Sequence, residues 1–312
     1  MREYIDSESI VSNSPYDELI SMLEDAFVAY ELGKCEMPDK SYVRVDKHNG
    51  DFRSMPAYID TEEWEASGVK WVNVHPDNTD LETVMGTVIY TDPSNGAPVA
   101  VLDGTEITKR RTAAVSALAT DYLAPSGIKK VGVLGAGVQS YEQIYALQEV
   151  REFNTILVSD VDDTAIEDFK TEFSEYTVES TTPNELTKSD VLYTMTPVTE
   201  PLIDTIHNDS IHINAMGADA PKKQEFTSSV CVDPTMNIIV DSYSQAMHSG
   251  EISIAIHDGD LNKENITSNL SSVLTGDSVV STANKTLFDS TGLAIQDIAT
   301  AHLVYTKNKQ NL

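Results

Sequence analysis

The chain has 312 residues, with 21 Lys and Arg against 50 Asp and Glu and a formal net charge of −29. That length suits two domains with a core that needs no disulfide or metal staple. A charge this negative argues against nucleic acid and anionic membranes as partners, and no apolar run is long enough to span a bilayer.

In chain order, the first helix is expected from Ser14. Ser14 reads as its N-cap, Pro15 as its first residue, and Asp17 completes an S-x-x-D box. Leu19, Met22, Leu23, Ala26, Phe27 and Tyr30 recur at helical spacing, and Gly33 suits the C-cap. From residue 41 to 102 the pattern turns to strands, at 41–45, 52–58, 69–74, 83–90 and 98–102. His48-Asn49-Gly50, Pro76-Asp77-Asn78 and Pro93-Ser94-Asn95-Gly96 are the turns between them. A helix rich in small residues follows over 106–123, and Pro125-Ser126-Gly127 reads as a domain boundary. Then come a strand at 130–134, a helix at 138–150 and a strand at 155–159, which together make one βαβ unit. Further strands are expected at 191–194, 211–215 and 238–240. A last helix, 292–305, carries Leu293, Ile298, Ala299 and Leu303 on its apolar face. The fold expected is α/β: a Rossmann domain over 126–290, a second α+β domain over 1–125, and a C-terminal helix, 291–312, that returns to it.

Gly135-Ala136-Gly137 opens a helix directly after a strand, as a dinucleotide pyrophosphate site requires. The third glycine position of that fingerprint holds Ser140. Asp160 ends the next strand and stands where a carboxylate binds the adenosine ribose hydroxyls. A carboxylate there repels a 2′-phosphate, so NAD is expected over NADP. The bland alternative is a glycine turn with no ligand.

Cations are scarce, which makes their placement informative. Four of the six Arg (Arg44, Arg53, Arg110 and Arg111) fall in one stretch with Lys40 and Lys70. Arg44, Arg53 and Arg111 read either as surface partners of acids or as an anion site gripping a carboxylate. Arg110 and Arg111 adjoin on a helix, and one of them is expected at the surface. The dispersed acid pairs suit a solvated surface adapted to high salt. Cys35 and Cys231 read as structural thiols in a reducing cytoplasm, and the seven His show no metal-ligand spacing.

Several segments together resemble the ornithine cyclodeaminase/mu-crystallin family. They are Met55-Pro56-Ala57-Tyr58, Gly68 through Pro76, Asp103-Gly104-Thr105, Arg111-Thr112-Ala113-Ala114, Gly135 through Gln139, Gly217-Ala218-Asp219-Ala220-Pro221, and Ser290 through Asp297. The form is nearest to the family's archaeal alanine dehydrogenases. The resemblance implies a homodimer with a substrate and dimerisation domain beside the NAD domain. It places Arg44, Lys70 and Arg111 around the substrate and makes Asp219 the catalytic acid/base with Lys70. It lines the cofactor with Thr112, Gly135, Gly137, Val138, Gln139, Asp160, Lys223 and Ser290. Lys222 departs from the pattern, which usually has Gly there. Arg53 stands where ornithine-specific members have a Glu that holds the distal amine. A cation there disfavours ornithine and favours a small 2-amino or 2-oxo acid. The expected reaction is reversible, NAD-dependent oxidative deamination of L-alanine, with cyclodeamination, imine reduction and non-catalytic NAD(P)H binding as alternatives. Competing readings leave Lys70 as an outward strand residue, Asp219 as a turn residue, and Arg53 paired with Asp51.

Overall fold

In the computed structural model, which describes residues 3–218 and 222–311, the chain divides into two units. One is Met1–Val115 with Leu293–Leu312, and the other is Ser116–Gly292. The division falls inside the long helix, ahead of Pro125.

The first unit is built on a seven-stranded sheet. Its strands are β1 (Glu3–Ile5), β2 (Cys35–Glu36), β3 (Ser41–Val45), β4 (Gly50–Asp60), β5 (Glu65–Val74), β6 (Val84–Thr91) and β7 (Pro98–Asp103). They lie in the order β1-β7-β6-β5-β4-β2, with β3 also paired to β4. All pairings are antiparallel except that of β1 with β7. Successive side chains in a strand point to opposite faces. Arg53, Met55, Ala57 and Ile59 therefore share the buried face of β4. Register carries that face across the sheet, with Met55 opposite Lys70 and Lys70 opposite Val88. The other face keeps apolar groups in solvent: Val43, Trp71 and Ile89 are all exposed, and Phe52 stacks on Trp71 with centroids 5.4 Å apart.

Ahead of the second unit, the chain forms α1 (Ser7–Ser12), α2 (Tyr16–Glu31) and the start of α3 (Gly104–Leu123). The expected N-cap at Ser14 is corrected. The unforeseen α1, capped by Asp6 on the Ser9 N–H at 3.0 Å, ends just before it. The Ser14 hydroxyl donates back to the Ile10 carbonyl at 2.6 Å. Pro15 then occupies the cap of α2, with no side-chain hydrogen bond there. In α3 the helix starts two residues earlier than expected. The Asp103 carboxylate accepts the N–H groups of Thr105 and Glu106 at 2.9 and 3.2 Å, which satisfies its first turn. Ala113, Ala114, Ser116, Ala117 and Ala119 of α3 are fully buried, as its small-residue face predicts.

The second unit carries an eight-stranded sheet in which every pairing is parallel. Its strands are β8 (Lys130–Leu134), β9 (Thr155–Ser159), β10 (Thr177–Ser180), β11 (Val191–Thr194), β12 (His212–Ala215), β13 (Met236–Val240), β14 (Ser268–Asn269) and β15 (Lys285–Asp289). The spatial order is β10-β9-β8-β11-β12-β15-β13-β14. The order reverses beside β8, the switch point where doubly wound sheets bind ligands. Helices α4 (Val138–Gln148) and α5 (Asp163–Glu172) are joined by the short helices α6 (Pro183–Leu186), α7 (Ser228–Cys231), α8 (Tyr243–Ala246), α9 (Ser253–His257) and α10 (Leu270–Thr275). Two apolar clusters fill the unit, one around Val133, Ile144, Phe169 and Phe173 and the other around Leu192, Ile213, Ile238 and Leu287. The near-continuous apolar strands reflect a parallel sheet buried on both faces. The final helix, α11 (Ala294–Gln310), belongs to the first unit and packs on α2 and on β4 to β6. Among the described residues no helix is long and apolar enough to cross a membrane.

Candidate active site

Lys70 sits on the covered face of β5 and is 1% exposed. Gly68, two residues before it, lets α11 come close. A Cβ at Gly68 would meet the Ile89 carbonyl oxygen at 2.5 Å and Ile298 Cδ1 at 2.9 Å. That approach brings Asp297, the neighbour of Ile298, onto Lys70. Asp297 Oδ1 accepts from Lys70 Nζ at 2.6 Å and from Arg111 Nε at 3.1 Å. Lys70 Nζ also donates to Thr108 Oγ1 at 3.2 Å, and Arg111 Nη1 donates to Gln296 Oε1 at 3.1 Å. Burial pulls the Lys70 ammonium down to about pKa 7; Arg111 and Lys40 push the same way and Asp297 opposes them. An amine poised near neutrality can give or take a proton at working pH.

The other arginines divide. Arg53 is buried, with Nε and Nη2 on the two Asp51 oxygens at 2.8 and 3.3 Å and its guanidinium 5.4 Å from the Tyr42 ring centroid. The paired reading of Arg53 is therefore the one seen. Arg44 stands opposite Asp51 in the β3–β4 register and is exposed. By strand alternation it shares the face of Arg53 and Lys70. The expectation that Arg110 or Arg111 lies at the surface is corrected: both are buried. Arg110 is turned away to Ser14 and Tyr16, in the first unit's interior.

In the second unit, Gly135 follows β8 with φ +94°, a conformation that favours glycine. Gly137 caps α4 in an extended conformation and is exposed, with open space where a Cβ would stand. Ser140 replaces the third glycine without disturbing the turn, because it is buried and its hydroxyl donates to the Gly137 carbonyl at 2.6 Å. Asp160 accepts the Ala136 N–H at 2.6 Å and the Asp162 N–H at 2.9 Å. It braces the glycine turn, and each oxygen keeps a second acceptor site. Val138 and Gln139 form the first turn of α4, Val138 exposed and Gln139 half-buried. These residues fit a dinucleotide: an open glycine cap, a helix N-terminus and a carboxylate on the next strand.

Thr112 is half-buried on α3. Ser290 is buried and its hydroxyl donates to Asp241 at 3.2 Å. Lys223 is half-buried, and Lys222 before it takes φ +72°, the left-handed conformation that suits the glycine usual there. Asp219 lies outside the described residues.

The loops at the carboxyl ends of the strands are tied by acids that the sequence did not point out. Glu225 accepts from the N–H and hydroxyl of Thr196, both at 2.7 Å. Glu251 accepts the N–H groups of Glu225 and Phe226, and Asp289 accepts those of Glu251 and Ile252. Glu225, Glu251 and Asp289 are fully buried, and burial raises the proton affinity of each, that of Asp289 to about 7. Asp241 completes the set by accepting from Thr291 and Gly292, each at 2.7 Å.

A parallel sheet with a glycine turn at its switch point, joined in sequence to a unit holding a buried lysine–carboxylate–arginine cluster, defines a two-unit α/β protein of the Rossmann class. The chain belongs to the ornithine cyclodeaminase/mu-crystallin family, whose model matches residues 4–311. It is 38% identical over 305 residues to an alanine dehydrogenase of Archaeoglobus fulgidus, covering 96% of this chain and 91% of that one. An archaeal alanine dehydrogenase dimer with bound NAD is similar in structure, with a TM-score of 0.93, 36% identity, and coverage of 100% and 97% of the two chains. The Δ1-pyrroline-2-carboxylate reductase of Thermococcus litoralis, in complex with NADH and L-proline, also gives a TM-score of 0.93. It is 32% identical, over 99% of this chain and 98% of that one.

Proposed function

We propose that the protein catalyses the reversible, NAD-dependent oxidative deamination of L-alanine: alanine, NAD+ and water give pyruvate, ammonium, NADH and a proton. The observation that carries this reading is Lys70, a buried amine near neutral proton affinity, held beside Arg111 and Asp297. Lys70 takes a proton from the substrate amine in one direction and returns it in the other. Arg111, with Arg44 and Arg53, supplies positive charge for the substrate carboxylate. Because Asp51 already holds one edge of Arg53, that residue acts more by charge than as a bidentate fork. Its cation still disfavours a diamine substrate such as ornithine. Asp219 would orient and deprotonate the water that attacks the iminium, a role that rests on its place in the Gly217–Pro221 motif.

Gly135, Gly137, Val138, Gln139 and Asp160, with Thr112, Lys223 and Ser290, would hold the cofactor. When bound, NAD accepts the hydride from the substrate α-carbon. The likeness to the archaeal dehydrogenase dimer and the exposed apolar face of Val43, Trp71 and Ile89 support a homodimer. A monomeric mass in solution would contradict that part. A second reading, reduction of a cyclic 2-imino acid, is favoured by the likeness to the T. litoralis reductase.

The test follows NADH absorbance in high salt, with pyruvate and ammonium, with Δ1-pyrroline-2-carboxylate, and with ornithine and NAD. Rapid NADH loss with pyruvate and ammonium is expected. Loss only with the cyclic imine would replace alanine by the second reading. Ammonia from ornithine without net NADH change would overturn both.

A further inference from the structure

Resting on the reading just given, we propose that Asp297 is a positioning residue of the reaction, which holds Lys70 in place and sets the proton affinity of its amine. On the covered face of β5, the flanking partners of Lys70 are the apolar Met55 and Val88. From α3 it meets Thr108 and Arg111, and from α11 it meets Asp297. Among the described residues the charged groups acting on it are thus one anion, Asp297, and two cations, Arg111 and Lys40. Among these charged groups Asp297 favours the ammonium, while both cations and the burial oppose it.

The geometry adds a second role. One oxygen of Asp297 serves both Lys70 and Arg111, so the proton-transfer group and the candidate carboxylate clamp share a single acceptor. A substrate carboxylate that draws Arg111 toward itself leaves that oxygen to Lys70 and raises the amine's hold on its proton. The other oxygen, Oδ2, is buried without a hydrogen-bond partner among the described residues. A pair serving stability alone gains nothing from leaving a fully buried carboxylate oxygen unmet, because desolvating it is costly.

Asp297→Asn separates charge from shape. The amide keeps an oxygen for Lys70 and puts its nitrogen where Oδ2 now stands. Titration of Lys70 by NMR on isotope-labelled lysine, assigned with Lys70→Arg, needs no substrate. The midpoint is expected to fall by about 1–3 pH units when the carboxylate charge is lost. In the oxidative direction the acid limb of kcat/KM should move down with it, because the neutral amine then forms at lower pH. The kcat should drop about 10-fold or more, while NADH affinity stays constant.

An unchanged midpoint would overturn the proposal. A shifted Lys70 midpoint in a protein inactive on pyruvate and on the cyclic imine would refute the substrate reading and leave the role of Asp297 standing. Should the Asn variant fail to fold, Asp297→Glu keeps the charge and displaces it. That variant should hold the midpoint and lose kcat, and a midpoint that falls would count against the idea.

Discussion

Arg110 and Arg111 are adjacent and both buried, yet the structure gives them different work. Arg110 Nε donates to Ser14 Oγ at 2.8 Å and its Nη2 to the Ser14 carbonyl at 2.5 Å. Its guanidinium lies 4.1 Å from the Tyr16 ring centroid. Arg110→Met keeps the aliphatic stem and removes these interactions. A hydrogen bond from a charged group contributes about 1.5–3 kcal/mol. The ring contact adds roughly 0.5–2 kcal/mol. Since one residue, Ser14, receives both bonds and its hydroxyl keeps its bond to Ile10, we expect a net loss of about 2–4 kcal/mol. At roughly 2–4 °C per kcal/mol, the Tm should fall by about 5–15 °C. Thermal unfolding in high salt measures it, with steady-state kinetics at a temperature where the variant is folded. Turnover should be nearly unchanged, whereas Arg111→Met should raise KM for the substrate. A variant with normal Tm and lost turnover would refute this division of labour.

Asp160→Ala removes both the proposed ribose acceptor and the brace on the glycine turn. NADH should bind about tenfold more weakly (~1.4 kcal/mol) and discrimination against NADPH should relax. Unaltered discrimination in fluorescence titrations would take Asp160 out of the ribose site. Lys222→Gly relieves a left-handed backbone and should stabilise the fold by about 0.5–1 kcal/mol, net of the entropy glycine adds to the unfolded chain. A lower denaturation midpoint would show that the lysine side chain is needed there. Molar KCl should raise the Tm by screening repulsion among the exposed acids, and a salt-indifferent midpoint would remove salt adaptation as the reason for the charge.

Strands with clean signals were legible from the sequence. Residues 130–134, 155–159 and 191–194 end where the structure ends them, because short buried runs between turn residues leave little choice. The strand Thr177–Ser180, at the sheet edge, carries Glu179 and only partial burial, and it escaped notice. Ser14 misled because its hydroxyl serves a partner 96 residues away, which no local box reveals. Asp297 escaped for a similar reason. It lies on an apolar helix, and its role depends on Lys70, 227 residues distant. Its position one residue before Ile298, inside a core-facing stripe, is the signal that an acid there needs a buried cation.

The buried acids of the second unit also change what the formal charge means. A net −29 counts every carboxylate as ionised. Glu225, Glu251 and Asp289 are held above the ordinary carboxylate range by burial, Asp289 at about 7. The folded chain therefore keeps protons that the unfolded chain releases, and it carries less negative charge than its composition states. The sign follows from linkage. These groups favour the fold most below the unfolded carboxylate range of about pH 4, and each contribution is lost as pH rises through the group's raised folded value, for Asp289 about 7. Folding in that window draws protons from the buffer. Calorimetry in two buffers of different ionisation enthalpy would count them.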